Sequence, residues 1–203
     1  LTQDHVAFLG YADTGMAIGE SFLSKLLCAE ENERIASHCA TATYALPNKP
    51  SWHCERFGQE APYCRKSLQN DLESLLDFYQ PDTVFTTALQ DLHGDHSALC
   101  RFVLKTTEKR PCAVYQGVVH SLAGDEHWPL RNGEAPLTLP MGMEAYRPVR
   151  FEWPEDSWDS AFEEHRKLHA LRCHVTAMKP DAVDFLSAFV KADELFFLPK
   201  KEV

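Results

Sequence analysis

Pro81-Asp-Thr-Val-Phe-Thr-Thr-Ala-Leu-Gln-Asp-Leu-His-Gly-Asp-His96 is the stretch on which the reading of the fold turns. Thr83 to Ala88 is rich in β-branched and aromatic side chains, the composition of a strand packed into a sheet. Upstream, Leu68, Leu72, Leu75, Leu76 and Tyr79 recur at helical spacing between Ser67 and Tyr79. Gln80-Pro81 ends that helix, because proline has no N–H to donate and disfavours helical backbone in the residue before it. Downstream, a loop feeds a helix from about Ser97 to Glu108, and Ala113 to Val119 reads as the next strand. Helix, proline turn, strand, loop, helix, strand is the rhythm of an α/β domain with a mostly parallel sheet.

Towards the N-terminus, Val6 to Tyr11 reads as a short buried strand running into Ala12-Asp-Thr-Gly15, where Gly15 permits a turn closed to other residues. A helix is expected from about 19 to 31. Residues 41–66 carry Pro47, Pro50 and Pro62 among Trp52, His53, Phe57 and Tyr63 without regular periodicity. This is the pattern of a long functional loop or lid, whose aromatics would either stack on a ligand or pin the loop down. Past the second strand come a Pro- and Gly-rich connection over 124–148 and helices at about 157–174 and 181–192. Phe185, Leu186, Phe189 and Val190 form a core stripe in the last of these. One domain over 1–203 is the expected organisation.

Composition narrows the function. With 44% hydrophobic and 25% charged residues the chain has the make-up of an ordinary globular protein. A formal net charge of −10, with Lys and Arg in runs no longer than two, speaks against a nucleic-acid or anionic-membrane surface. A neutral or cationic small substrate fits better. No stretch approaches the roughly 18 consecutive apolar residues of a bilayer span. Seven cysteines, none in a Cys-x-x-Cys pair, read as free thiols of a cytoplasmic protein; export is the alternative, with Cys54 and Cys64 as the disulfide candidates.

The chemistry concentrates at Asp91-Leu-His-Gly-Asp-His96. Loops leaving the carboxyl ends of strands are where open α/β sheets bind ligands. Two imidazoles and two carboxylates within this hexapeptide suit zinc, although a complete site needs further ligands from another loop. The competing reading is a helix N-cap in which Asp91 or Asp95 accepts backbone N–H groups. His165 and His169, four apart on an expected helix, read as a solvated face rather than a metal pair. No Gly-x-Gly-x-x-Gly, Walker loop or Gly-x-Ser-x-Gly occurs.

The same residues carry a resemblance. Pro81 to Thr87 followed by Asp91 to His96 resembles the second signature of the PIG-L/LmbE-like N-acetylglucosaminyl deacetylases, usually Pro-Asp-Val-Val-Phe-Thr and then Asp-x-His-Pro-Asp-His. Phe8 to Met16, before this signature, and Val118-Val-His-Ser121 with Trp128-Pro129 and Lys167 to Thr176, after it, are similar to further stretches of that family in the same order. The resemblance implies a Rossmann-like three-layer sandwich and zinc-activated hydrolysis of the acetamide of an N-acetylglucosamine-type sugar or conjugate, with another divalent ion able to replace zinc. It implies His96 as a metal ligand, His93 as the group that stabilises an oxyanion or protonates the leaving amine, and Asp95 as its orienting carboxylate. Asp13 corresponds to a substrate-contacting position, His120 resembles a position near the pocket with a hydrogen-bonded core histidine as the alternative reading, and Asp91 is read as orienting the loop.

Two alternatives accompany this reading: a relative that binds carbohydrate without a metal, and an amidase of the same fold acting on a non-sugar amide such as a thiol conjugate. The family's first signature, Ala-His-Pro-Asp-Asp-Glu, supplies two metal ligands and the general base, and that string does not occur in these 203 residues. With Leu1 in place of an initiator Met, the expectation is that this segment precedes the chain and is cleaved, missing or carried on a companion fragment. Gly94, where the family usually has Pro, is expected to alter loop rigidity more than ligand identity.

Overall fold

Helix-forming stretches are placed by their apolar spacing in a computed structural model that describes residues 5–124, 127–129, 137–153, 165–178 and 183–200. The elements are α1 (Phe22–Cys28), α2 (Trp52–Phe57), α3 (Arg65–Tyr79), β1 (Thr83–Thr87), α4 (Gly94–Thr107), β2 (Ala113–Gly117), β3 (Tyr146–Glu152), α5 (Arg166–Arg172), α6 (Val183–Ser187) and β4 (Asp193–Pro199). The chain divides into two units, Leu1–Val114 and Tyr115–Val203.

In the first unit, α1, α3 and α4 meet over one apolar cluster. Leu23 and Leu26 from α1, Leu68 and Leu72 from α3, and Ala98, Phe102 and Val103 from α4 are all buried in it, with Ala12, Phe22 and Tyr63. The spacings of three, four and five residues put each set on one helix face. α3 stops where the sequence says it should: Gln80 takes a left-handed φ of 46° and its N–H closes onto the Leu76 carbonyl, and Pro81 follows. α1 begins at Ser21, whose hydroxyl accepts the Ser24 N–H. It is shorter than the expected 19–31, since Ala29 already has extended backbone at its C-terminal end.

Two expectations for this unit change. Val6 to Tyr11 forms no strand; it is a strap held by isolated contacts, the Phe8 carbonyl accepting from Trp52 N–H and the Gly10 carbonyl from the Tyr63 hydroxyl. Residues 41–66 are not irregular throughout. They contain α2, capped by the Ser51 hydroxyl at its start and by left-handed Gly58 at its end. Trp52 and Tyr63 are buried, and the Trp52 indole donates to the Ser74 hydroxyl of α3. Trp52 and Tyr63 therefore pin the segment down, whereas Tyr44 and Phe57 are exposed.

In the second unit β4 lies antiparallel to β3, from Tyr146↔Pro199 to Glu152↔Asp193, and antiparallel to β2 at Gln116↔Phe197. The strand order is β1-β2-β4-β3. The sheet is thus mixed, and the mostly parallel arrangement is corrected: β3 and β4, which the apolar pattern did not announce, bring antiparallel pairing. β3 carries Pro148, which an edge strand tolerates because only one side of its ladder needs N–H donors. β4 alternates buried Asp193, Leu195 and Phe197 with less buried neighbours. The Arg150 guanidinium pairs with the buried Asp193 and donates to the Leu137 carbonyl at 2.6 Å. The expected helix at 157–174 survives as α5; its first part, to residue 164, lies outside the described residues.

Phe102 is 2% exposed at the centre of the first unit's cluster. Phe102→Ala is expected to lower unfolding free energy by about 3–5 kcal/mol, as for other large core deletions, measured by urea denaturation.

Candidate functional site

The hexapeptide 91–96 joins β1 to α4 in a closely bonded loop. The Thr87 hydroxyl at the end of β1 donates to the His96 carbonyl at 2.8 Å, and the Ser97 hydroxyl donates to the Leu89 carbonyl at 2.8 Å. Asp91, fully buried, accepts the His93 N–H at 2.9 Å. Gly94 is where this loop meets the strap before α1. Its N–H donates to the Met16 carbonyl at 2.8 Å, and a Cβ there would stand 2.4 Å from the Ala17 carbonyl oxygen and 2.7 Å from Ser21 Cβ. Proline at 94 would remove that hydrogen bond and bring the clash. The close approach of two backbones requires glycine here, a packing role that the sequence reading of Gly94 did not include.

Asp95 carries the tightest part of the site. Its Oδ2 accepts both the Thr14 N–H and the Thr14 hydroxyl at 2.8 Å, and its Oδ1 accepts the Leu23 N–H at 2.7 Å. Burial alone would raise its pKa, but these donors, with the Ser21 side chain, outweigh it and hold the carboxyl below its ordinary value. The capping reading of the motif is thus right in kind but differs in target: Asp95 caps the start of α1, in another part of the chain, and not α4.

The two histidines stand against two different carboxylates. His93 Nε2 lies 3.4 Å from Asp13 Oδ1, and His96 Nδ1 lies 3.3 Å from Asp91 Oδ1; the two rings stack with centroids 4.2 Å apart. Asp13 is held by its turn, accepting the Gly15 N–H at 3.2 Å, with Gly15 at the positive φ of 62° that its sequence position suggested. Asp13, His93 and Asp95 each present a donor atom within 4.8 Å of the other two. Two carboxylates and one imidazole so close are a donor set that fits a divalent cation.

Five of the six sequence-identified residues, Asp13, Asp91, His93, Asp95 and His96, therefore meet in the first unit. The cation-sized group among them has Asp13 and Asp95 beside His93, whereas the resemblance singles out His96. His120 belongs to the second unit, where its ring stacks on Phe185 at 5.4 Å. His165 is fully buried, its Nδ1 accepting the Lys167 N–H at the start of α5, so it is not the solvated residue expected; His169 is exposed. All seven cysteines are free thiols, Cys54 and Cys64 among them. Sequence reasoning missed Thr14 as the partner of Asp95, since nothing about a lone threonine announces a carboxylate 81 positions away. Among the described residues, no helix is long and apolar enough to cross a membrane.

Asp95→Ala strands several donors at once and is expected to cost roughly 3 kcal/mol of stability. The sign of the pH effect follows from the lowered pKa: the carboxylate stabilises the fold above its ordinary pKa of 3.8, and that contribution is lost as pH falls through the lower folded value. Asp95→Asn should therefore flatten the acid limb of stability against pH, read by urea titrations from pH 6 to pH 2. Gly94→Pro should cost more than about 3 kcal/mol by clash and lost hydrogen bond together, read as a fall in thermal midpoint.

No family model, curated protein or solved structure matches the chain, so the family reading rests on the residues from 81 to 96 and their flanking stretches.

Proposed function

We propose that this chain carries one side of the active site of a divalent-metal-dependent amide hydrolase, a deacetylase of N-acetylglucosamine-type sugars or conjugates. The observation that carries the proposal is the placing of two stacked imidazoles, each against its own carboxylate, in the loop between β1 and α4. The Rossmann-like layering that the resemblance implies, and zinc as the ion, are part of the same proposal.

Within it, each residue has a physical task. Asp91 is buried and faces His96 Nδ1, which orients the ring so that Nε2 is the ligating nitrogen; a carboxylate behind a ligating histidine raises its basicity and fixes its direction. His93, with Nε2 beside Asp13, is the proton donor towards the leaving amine or the developing oxyanion. Asp13, mostly exposed, also receives sugar hydroxyls. Asp95 holds the Thr14 strap against α4, which fixes Asp13 relative to His93. A bound zinc ion supplies Lewis acidity and a water whose pKa falls to about 7. Two further ligands and the general base correspond, in the resemblance, to a string that these 203 residues do not contain.

A second reading draws on the saturation of Asp95 by backbone and hydroxyl donors: the cluster is a structural clamp in a carbohydrate-binding protein without hydrolysis. The two readings separate on acetate release from N-acetylglucosamine conjugates by the full-length protein, with zinc affinity measured on the same preparation. His96→Ala should abolish release, and Asp91→Asn should weaken zinc binding by about 10–100-fold. Undiminished zinc affinity and release in His96→Ala would exclude His96 as the ligand and this loop as the site, and sugar binding without release in the wild type would exclude the hydrolase reading and favour the clamp.

A further inference from the structure

Outside the motif, the first unit contains a buried polar junction that neither histidine of the loop touches. Asp71, in the middle of α3, is fully buried. Its Oδ2 accepts the Tyr11 hydroxyl at 2.8 Å, and its Oδ1 lies 2.6 Å from His53 Nδ1 on α2. Burial pushes the Asp71 carboxyl above its ordinary range, while His53 and Tyr11 oppose that shift by hydrogen bonding to it and Glu60 adds to it. A buried carboxylate is costly unless it is hydrogen-bonded, so these partners hold their places firmly.

Tyr11 stands two residues before Asp13. The strap that carries Asp13 is therefore tied at both ends: upstream to α3 through Tyr11 and Asp71, downstream to α4 through Thr14 and Asp95. The Tyr11 ring also stacks on Tyr63 at 5.4 Å, which fixes the hydroxyl's direction of approach to Asp71. Between the two ties, Asp13 reaches His93 Nε2 at 3.4 Å although its side chain is 74% exposed. The Gly15 N–H fixes the Asp13 carboxylate within its own turn, but an exposed side chain has little packing to place that turn, so the ties on either side set where it stands relative to His93. We infer that Asp71 is a positioning residue for the Asp13–His93 pair, acting through the Tyr11 hydroxyl, and that α2 bears on the same pair through His53.

The inference concerns this pair itself and stands apart from the deacetylase reading, so the test uses protein without metal. The His93 ring signals are followed by two-dimensional carbon–proton NMR in EDTA, with Asp13→Asn as the reference for a lost pair. Tyr11→Phe keeps the ring stack and removes only the hydroxyl. It should move the His93 signals in the same direction as Asp13→Asn, and the double variant should move them no further than Asp13→Asn alone, because both act through one contact. His53→Gln should shift them less. A Tyr11→Phe variant with a lowered melting temperature but unmoved His93 signals would make Asp71 merely structural and overturn the inference. So would Asp13→Asn leaving the His93 signals in place. Asp71→Asn, where it folds, should match Tyr11→Phe or exceed it.

Discussion

The carboxylate of Asp95 is the constraint on which the site depends. One buried side chain takes the N–H of Leu23 at the start of α1 and both donors of Thr14, and so brings together residues 14, 23 and 95. Without it, the start of α1 would lose an acceptor for its N–H groups, and the strap would lose its hold on α4. Gly94, beside it, removes the side chain that would otherwise keep the two backbones apart. The combination explains why a motif rich in metal-binding residue types is also a fold-defining joint: the same hexapeptide that presents two imidazoles clamps the first unit together.

This double use bears on chemistry. A carboxylate already accepting from backbone and hydroxyl donors is stiff, and under the proposed function that stiffness would hold a proton donor in place. It is a poorer candidate for direct ligation than a carboxylate with fewer bonds to give up. Asp91 has a different position: buried, bonded to the His93 N–H and facing His96, it is the residue that sets the direction of an imidazole. The two aspartates of the motif, alike in the sequence, differ in structure because one faces the neighbouring helix and the other faces its own loop.

Much of the first unit was legible in the sequence because its signals are local. The leucines of α3, the Gln80-Pro81 stop, the β-branched run of β1 and the clustering of imidazoles and carboxylates at 91–96 each depend on residues a few positions apart. The strap at 6–11 was not legible: an apolar run looks the same whether it pairs in a ladder or is held by single contacts to Trp52 and Tyr63. β3 and β4 escaped because Pro148 disguises one, and the other, Asp193–Pro199, follows a stretch read as helix. The roles of Thr14, Tyr11 and Asp71 could not be read at all, since their bonds span 60 to 81 positions. His165 looked solvated by helical spacing and is buried because it caps α5 from within.

The central proposal is that the loop from β1 to α4 contributes to a divalent-cation site in which His96 is a ligand oriented by Asp91, beside the cation-sized group of Asp13, His93 and Asp95. X-ray absorption at the zinc edge of the zinc-loaded full-length protein tests it most directly, because scattering from imidazole is distinguishable from that of oxygen ligands. The account predicts an imidazole contribution that is reduced in His96→Ala and unchanged in His93→Ala. An undiminished imidazole shell in His96→Ala, or a shell of oxygen ligands alone in the wild type, would contradict it.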